Sequence, residues 1–256
     1  FGYVGAFMYE GDSPLAERRA AALAVDPALL SELLGKVEMR ELLDPDVIAQ
    51  FEREAQRLDP ERRARGLEGV ADLLRLLGPL DASEVAERLD PDTAPRSSSE
   101  RGTSETKRPE PTGNLDHATE AEASALLDAL VSARRAIPVT IAGITRIAAI
   151  EDAGRLRDAL GAALPVGIPT AFLEPVADPL GDLVARYART HGPFPADAAA
   201  DRLGIGVAVA RLTLQRLESQ GRVTSGFFLP APSTASGASG ATRADETEWC
   251  DTEVLR

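Results

Sequence analysis

The side chains best suited to chemistry lie close together on a predicted helix over residues 207–220. Arg211 and Gln215 share one face of this helix, Arg216 lies beside them, and Arg222 begins the strand-like segment that follows. Arginine and glutamine side chains can hydrogen-bond to phosphate oxygens or to base edges, so these four residues are candidate nucleic-acid contacts. The alternative interpretation is that they are ordinary solvated side chains on a packing module.

No other set of residues in the sequence has the spacing of a catalytic or metal site. His117 and His191 are the only histidines, and we expect His191 to act as a cation at the end of a helix. The single cysteine, Cys250, has no nearby histidine, which argues against a thiol nucleophile. The phosphate-loop pattern GxxxxGK[ST] is also absent from the sequence. We therefore expect no catalytic, cofactor-binding or metal-binding residue in this chain.

The charge of the chain restricts its partners. The net charge is −13, from 28 basic and 41 acidic residues, which argues against nonspecific coating of nucleic acid. Residues 181–231, however, hold six arginines and four acidic residues, so this segment carries a local charge of +2. A lone cysteine cannot form an internal disulfide and fits a reducing cytoplasm. No apolar run reaches the length of about 18 residues that a membrane span needs, so no membrane partner is expected.

An internal repeat supplies the elements that must position the arginines. Residues 70–89 and 183–203 align on Gly78-Pro79 and Gly192-Pro193. The aligned segments also share Ala82/Ala196, Ala86/Ala200, Arg88/Arg202 and Leu89/Leu203. In each copy an amphipathic helix stops at glycine, proline prevents its continuation, and a short turn leads into a second helix. This pattern indicates the start of a winged helix, whose third helix usually enters a nucleic-acid groove.

The first winged helix is predicted over residues 67–150. Its third helix covers 124–135, and two short strands about Gly143 form its wing. Residues 90–116 are rich in proline and serine and interrupt the module as a disordered insertion between helices two and three. Such an insertion is tolerable because the entropy of loop closure grows only logarithmically with loop length.

The second winged helix is predicted over residues 181–230, after a connector over 151–180. Its helices cover 183–191, 196–203 and 207–220, and Arg222 to Leu229 supply a wing strand. Small and polar residues then indicate a flexible linker over 231–247. Residues 248–256 are expected to begin a further module.

Residues 1–66 are predicted to be mainly helical. Asp44-Pro45 begins a helix over 46–58, whose apolar stripe should face a core while Glu52 and its neighbours form a solvated face. The chain opens on Phe1 and closes on what reads as one helical turn, so we expect a piece of a longer protein.

Several strings occur together and in one order. They are Tyr9-Glu10-Gly11-Asp12-Ser13-Pro14-Leu15-Ala16-Glu17-Arg18-Arg19, Glu41-Leu42-Leu43-Asp44-Pro45, Leu73 to Leu80, Ala149 to Ala153, Ala171 to Val176, Tyr187 to Phe194 and Glu248-Trp249-Cys250-Asp251. On these strings the chain resembles the large helicase-related (Lhr) proteins of actinobacteria, which are superfamily 2 DEAD/DEAH-type helicases. The resemblance covers nearly the whole chain apart from the two low-complexity segments.

The resemblance implies a fold and a function. Residues 1–66 would be the end of the DEAD/H-associated domain, and the fold class would be mostly α with small β-wings, as tandem winged-helix modules after this helical helicase-associated segment. The parent would be a cytoplasmic, ATP-dependent 3′-to-5′ helicase linked to DNA repair, with ATP and Mg²⁺ bound by RecA-like domains upstream of Phe1. The implied partners are single-stranded DNA, RNA:DNA or DNA duplex, the RecA-like core, and a second copy through self-association. This segment itself would be non-catalytic.

Two other classes of protein are also consistent with the sequence. A stand-alone winged-helix DNA-binding regulator would bind tightly and with sequence dependence. A DNA-glycosylase-like tandem winged-helix protein would need a pocket with a carboxylate or glutamine pair, which the sequence does not locate.

Overall fold

A computed structural model describes residues 43–90, 115–229 and 247–255, with only the backbone described for 115–119. The segments predicted over 1–42, and most of the insertion 90–116 and of the linker 231–247, lie outside these ranges. Within the described ranges, no helix is both long enough and apolar enough to cross a lipid bilayer.

The first described element is helix α1, Pro45–Ala55. It begins at Asp44, whose carboxylate accepts a hydrogen bond of 3.0 Å from the amide of Asp46. The helix is shorter than predicted because Arg57 adopts a left-handed conformation with φ of 60°. None of its side chains is fully buried, and Val47 is 64% exposed, so the predicted core-facing stripe is only partly covered. A 3-10 turn, Pro60–Arg62, follows.

The first winged-helix module contains helices α2 (Gly66–Leu77), α3 (Ala82–Ala86) and α4 (Leu115–Ser132), then strands β1 (Ala136–Ile141) and β2 (Ile144–Ala149). Helix α3 begins with a capping box: the Asp81 carboxylate accepts from the Glu84 amide and the Glu84 carboxylate accepts from the Asp81 amide, each at 2.9 Å. Ala142 and Gly143 both have positive φ at the hairpin turn, as a two-residue hairpin of this twist requires.

The connector packs as part of the second module. It contains a 3-10 turn Ile150–Asp152, helix α5 (Ala153–Leu160) and a second 3-10 turn Thr170–Phe172. Gly154 on α5 lies so close to the chain after Thr170–Phe172 that a β-carbon would stand 2.9 Å from the carbonyl oxygen of Glu174. Only glycine allows this close approach without displacing the backbone.

The second winged-helix module contains α6 (Pro179–Thr190), β3 (Phe194–Pro195), α7 (Ala196–Leu203), α8 (Val207–Ser219), β4 (Val223–Gly226) and β5 (Glu248–Asp251). The three strands form an antiparallel sheet in the order β3-β5-β4. All four residues of β5 are buried.

The position of β5 corrects one prediction. Residues 248–256 were expected to begin a further module, but β5 lies between β3 and β4 and closes the sheet of the second module. Trp249 pairs with Phe194 on one side and with Ser225 on the other. The segment 231–247 therefore connects two strands of one wing rather than two modules.

The two modules share one topology, which confirms the predicted fold class of tandem winged helices. Leu80 and Phe194 occupy the same position in the aligned repeat, and each supplies the short first strand of its sheet. Leu80 exchanges backbone hydrogen bonds of 3.0 and 2.7 Å with Ile147 on β2, as Phe194 pairs with Trp249 on β5. In both sheets the last strand is thus the central one.

Two apolar cores meet at the wing of the first module. Ala136 and Ala149, at the base of the β1–β2 hairpin, belong to the core of the first module. The opposite face of the hairpin, with Ile137, Val139 and Ile141, belongs to the core of the second. Since side chains alternate between the faces of a strand, one hairpin serves both cores and joins the modules into one packed unit.

Candidate nucleic-acid interface

Helix α8, the third helix of the second module, is built to present one exposed face. Its buried face carries Ala210, Leu214 and Leu217, which are completely covered. Gly204 ends α7 in a left-handed conformation with φ of 66°, and Gly206 begins α8. The tight turn between these glycines places α8 across α7, as in a helix–turn–helix.

Two of the four predicted contact residues are available on this exposed face. Arg211 and Gln215 are both exposed, one turn apart, and neither side chain has a hydrogen-bond or ion-pair partner among the residues that the structure describes. Residues four apart on a helix lie on the same side. These two side chains can therefore reach a ligand together without breaking an existing contact.

Arg216, the third predicted residue, has a partner already. Its guanidinium binds the Asp178 carboxylate through two hydrogen bonds of 2.5 and 2.9 Å. The same carboxylate accepts from the amide of Gly181 and caps the start of α6. The hydrogen bonds from Arg216 lower the pKa of Asp178, so the pair stays ionised. Arg216 thus clips α8 to the first helix of its own module.

Arg222, the fourth predicted residue, is half-buried in the turn before β4. Its amide donates to the carbonyl of Leu217 at 3.0 Å, and its own carbonyl accepts from Thr252 at 3.1 Å. The positive charge of Arg222 also lowers the pKa of Asp178. The structure therefore separates the four residues into an available pair, Arg211 and Gln215, and a pair associated with Asp178.

Apolar side chains accompany the available pair. Val209 is 45% exposed and Leu212 is 67% exposed on α8. The spacing of Val207 with Ala210, Leu214 and Leu217 predicts a core position, but Val207 is the first residue of α8 and is 37% exposed. A face of arginine, glutamine and aliphatic groups can contact base edges and thymine methyl groups, and it can also contact another protein.

The corresponding helix of the first module has the opposite charge. Helix α4 contains Asp116, Glu120, Glu122 and Asp128 and neither arginine nor lysine. Glu120 and Asp128 are exposed. Acidic side chains repel phosphates, so α4 is poorly suited to a nucleic-acid groove and α8 is the better candidate.

A second basic surface was missed by the sequence analysis. A groove of about 570 Å³ lies beside α2, and we call it the arginine groove. It is lined by four arginines, Arg57, Arg62, Arg63 and Arg65. Arg62 pairs with Glu54 and Arg65 pairs with Asp90. Among the described residues, the Arg57 side chain has no partner, and the buried Nε of Arg63 has no hydrogen bond. The signal was present as four arginines within residues 57–65 of an acidic chain.

His191 does not have the predicted charge. It stacks on Tyr187 with ring centroids 3.7 Å apart, and its Nδ1 donates to the Tyr187 carbonyl at 2.8 Å. Burial, with the charges of Arg202 and Arg88, lowers the pKa of His191 to about 4. His191 is therefore neutral near pH 7, and the prediction that it is a cation at the helix end is wrong. Its contacts with Tyr187 give it a structural role.

The contact between α1 and α6 corrects the prediction of a solvated face on α1. The Glu52 carboxylate accepts a hydrogen bond from the amide of Gly192, and burial raises the pKa of Glu52. Gln56 donates to the Thr190 carbonyl and accepts from Arg88 at 2.9 Å. Glu52 and Gln56 therefore fix α1 onto the end of α6.

A cavity between the modules tests the glycosylase alternative. It is lined by Gln56 and Glu84, which are groups that base excision could use. Both are engaged: Gln56 binds Arg88 and Thr190, and Glu84 binds the Asp81 amide and Arg202. Burial raises the pKa of the Cys250 thiol to about 12, which also makes this thiol unsuitable as a nucleophile. Gln56 and Glu84 thus serve as structural contacts between the elements around the cavity.

The geometry thus defines a tandem winged-helix unit with one basic third helix. The sequence matches the family described as "Large helicase-related protein, winged-helix domain" over residues 41–175. The chain belongs to this family.

Two relatives extend the match beyond the winged-helix domain. The chain is 50% identical over 256 residues, its full length, to a protein of Mycolicibacterium smegmatis named "Lhr helicase/ probable uracil glycosylase". It is 43% identical over 223 residues, 87% of the chain, to a protein of Escherichia coli named "Lhr helicase/uracil glycosylase". The chain spans 14% and 13% of the length of these relatives.

Proposed function

We propose that this chain is the non-catalytic tandem winged-helix segment of an ATP-dependent 3′-to-5′ helicase that unwinds RNA:DNA or DNA duplexes. Within it, the second module contacts single-stranded or duplex nucleic acid through the exposed face of α8. The observation that carries the proposal is the pair Arg211 and Gln215, exposed and without partners among the described residues, on the basic third helix of a locally basic module. Membership of a helicase-related family supports the parent activity.

The parent would bind ATP and Mg²⁺ on RecA-like domains outside this segment. The chain has no phosphate-loop sequence of its own, so its part is to position nucleic acid and to join the core to the rest of the protein. Such a parent would act in DNA repair in the cytoplasm. Self-association through the exposed aliphatic groups of α8 is a further role that the same face allows.

The alternatives are less well supported. A stand-alone regulator fits poorly because the full chain matches about one seventh of the Mycolicibacterium smegmatis relative, which is named a helicase. The names of both relatives include a glycosylase. We propose that any base excision by the parent lies outside this segment, since Gln56 and Glu84 are occupied by structural contacts.

The proposal is tested by fluorescence anisotropy with labelled single-stranded DNA and an RNA:DNA duplex, at about 50 and 200 mM salt. We expect binding that weakens steeply with salt and a loss of about tenfold or more in the variant Arg211→Ala/Gln215→Ala. The matched control is Arg189→Ala, which removes one exposed charge from α6 of the same module. Absence of binding at both salt concentrations, or an equal loss in the control, would contradict contact through α8.

The helicase assignment has a separate test. ATP hydrolysis stimulated by nucleic acid should be absent from this chain and present when the upstream domains are joined to it. Hydrolysis by the chain alone would contradict the assignment of a non-catalytic segment.

A further inference from the structure

The cavity between the modules has the properties of an anion site. Its walls come from the end of α1, the turn after α2, helix α3, the wing strands β1 and β2, and helices α6 and α7, so both modules are needed to form it. Its volume is about 150 Å³. A water molecule occupies about 30 Å³ in the liquid, so the cavity is large enough for a small hydrated ion.

Four arginines line this inter-module cavity, and they are Arg88, Arg146, Arg186 and Arg202. Arg88 and Arg146 are only 7% and 8% exposed. Arg88 and Arg202 are the same position of the two repeats, so the two modules each supply one arginine in the same way. Buried arginines are normally paired with acids, because an unpaired buried charge is costly.

Glu84 is the one acid among the described residues that line the cavity, and it faces four arginines; Asp152, Glu87 and Glu52 act on Arg186 and Arg88 from outside the lining. Asp152 binds Arg186 through bonds of 2.5 and 2.7 Å, and Glu84 binds Arg202. Arg88 is held by neutral oxygens, two from Gln56 and the carbonyl of Glu84, with the exposed Glu87 at 3.5 Å. These oxygens satisfy the hydrogen bonds of Arg88 but do not neutralise its charge.

Arg146 shares its one nearby acid, Glu84, with Arg202. Its buried Nε has no hydrogen bond in the described structure, and it stands 3.6 Å from Glu84, which Arg202 already occupies. Its Nη1 makes one long bond of 3.4 Å to the carbonyl of Ile141. The remaining titratable groups on the walls, Tyr187 and His191, are neutral near pH 7, with pKa values of about 12 and about 4. The residues that line the cavity therefore carry more positive than negative charge, and the buried Nε of Arg146 is a donor without an acceptor in the described structure.

We infer that the inter-module cavity binds a small inorganic oxyanion of the phosphate type, held between Arg146 and Arg88. An oxyanion accepts several hydrogen bonds at once, which matches the donors that guanidinium groups present. The free ion is favoured over a phosphate of a nucleic-acid backbone because the cavity lies between packed helices and holds only about 150 Å³. The bound ion would neutralise the buried charge and tie the modules together.

The inference is tested by titrating the chain with inorganic phosphate, with chloride at matched ionic strength as the reference. We expect saturable heat in isothermal titration calorimetry and a rise in Tm of about 5 °C near 100 times Kd, beyond the rise in chloride. No saturable heat would overturn the inference. The same titration with a short oligonucleotide distinguishes a free phosphate ion from a phosphate of a nucleic-acid backbone. Displacement of bound phosphate by the oligonucleotide would overturn the assignment to the free ion.

The variant Arg146→Gln separates a binding role from a structural one. In chloride it should be about as stable as the unsubstituted chain, because Arg146 and Arg202 share the single carboxylate of Glu84 and the loss of one of the two charges leaves that carboxylate paired. In phosphate it should lose the specific rise in Tm, whereas Arg146→Lys should keep part of it. Since phosphate also stabilises proteins through exclusion from their surface, Arg189→Gln is the control and should keep the full rise. A full phosphate-specific rise in Arg146→Gln would overturn the inference.

Discussion

Gly204, at the end of α7, lies directly against the backbone of Ala142 at the tip of the first module's wing. A β-carbon on Gly204 would stand 2.9 Å from the amide nitrogen of Ala142, and Gly204 has a φ of +66°. The turn that positions α8 in the second module is therefore set by the wing of the first. The orientation of the candidate interface depends on contact between the modules.

This contact predicts the effect of replacing Gly204. The variant Gly204→Ala should lose about 2–5 kcal/mol of unfolding free energy, because it adds left-handed strain to a steric clash with Ala142. Gly221→Ala is the matched control, since Gly221 has a φ of +70° with open space around its α-carbon. It should lose only the strain, about 1–2 kcal/mol. Equal losses by urea denaturation would contradict close packing at Gly204.

The pairing of β5 predicts the effect of truncating Trp249. Trp249 is 4% exposed between Phe194 and Ser225, so Trp249→Ala should cost about 3–5 kcal/mol. Leu212→Ala removes a large apolar side chain that is 67% exposed and should change stability by less than about 0.5 kcal/mol. If residues 248–256 began a separate module, Trp249→Ala would leave the unfolding free energy of the tandem winged-helix unit unchanged.

The pKa of His191 predicts a loss of stability in mild acid. In the folded chain the pKa of His191 is about 4, below the value of about 6.5 in the unfolded chain. Between about pH 6.5 and pH 4, therefore, His191 takes up a proton in the unfolded state but not in the folded state. The contribution of His191 is therefore complete above about pH 6.5 and is lost as the pH falls toward 4, by about 3 kcal/mol in total. Denaturation midpoints between pH 7 and 5 measure it. His191→Phe keeps an aromatic ring beside Tyr187 and should reduce the change of the midpoint with pH. If the midpoint of this variant changes with pH as much as before, other groups cause the pH dependence.

The buried carboxylate of Asp152 predicts a large energetic coupling with Arg186. Asp152 is 3% exposed and also contacts Arg155. Asp152→Asn should cost about 3–5 kcal/mol because it leaves the Arg186 charge uncompensated. Adding Arg186→Met should recover part of that loss, and a double-mutant cycle measures how much. Additive losses would show that the two residues act independently.

The two arginines of α8 should respond differently to substitution. Arg216→Ala breaks the link to Asp178, which is partly exposed to solvent, so we expect a cost of up to about 1 kcal/mol and little change in DNA affinity. Arg211→Ala should leave the Tm unchanged and weaken binding. Parallel thermal melts and anisotropy titrations distinguish the pair, and an affinity loss in Arg216→Ala equal to that in Arg211→Ala would contradict the separation of their roles.

Local signals were sufficient to predict the presence of the described helices and of the first wing, but not every boundary: α4 was predicted over 124–135 and runs Leu115–Ser132, so it begins within the predicted insertion 90–116. The glycines and prolines at 78–79 and 192–193 end α2 and α6 as expected, and alternating apolar residues indicated β1 and β2. The second strand of the second wing was missed because a run of small and polar residues separates β5 from β4. The repeat itself contained the missing signal: the first module ends in two wing strands, so the second required another strand after β4.

The candidate site was only half predictable for the same physical reason. Periodicity placed Arg211 and Gln215 on an exposed face, and the structure agrees. It could not show that Arg216 binds Asp178, since the two residues lie 38 positions apart. Nor could it show that burial and neighbouring arginines keep His191 neutral. Contacts between elements decide which charged side chains are available, and one sequence does not specify those contacts.

The hairpin of β1 and β2 has a mechanical consequence. Its two faces belong to two cores, so a force on α8 reaches α2 as shear through a packed apolar layer rather than as bending of a linker. Packed protein interiors are nearly incompressible and transmit strain. If nucleic acid is drawn across α8, as we propose, both modules should move together as one packed unit with α1, which is fastened to α6 through Glu52 and Gln56.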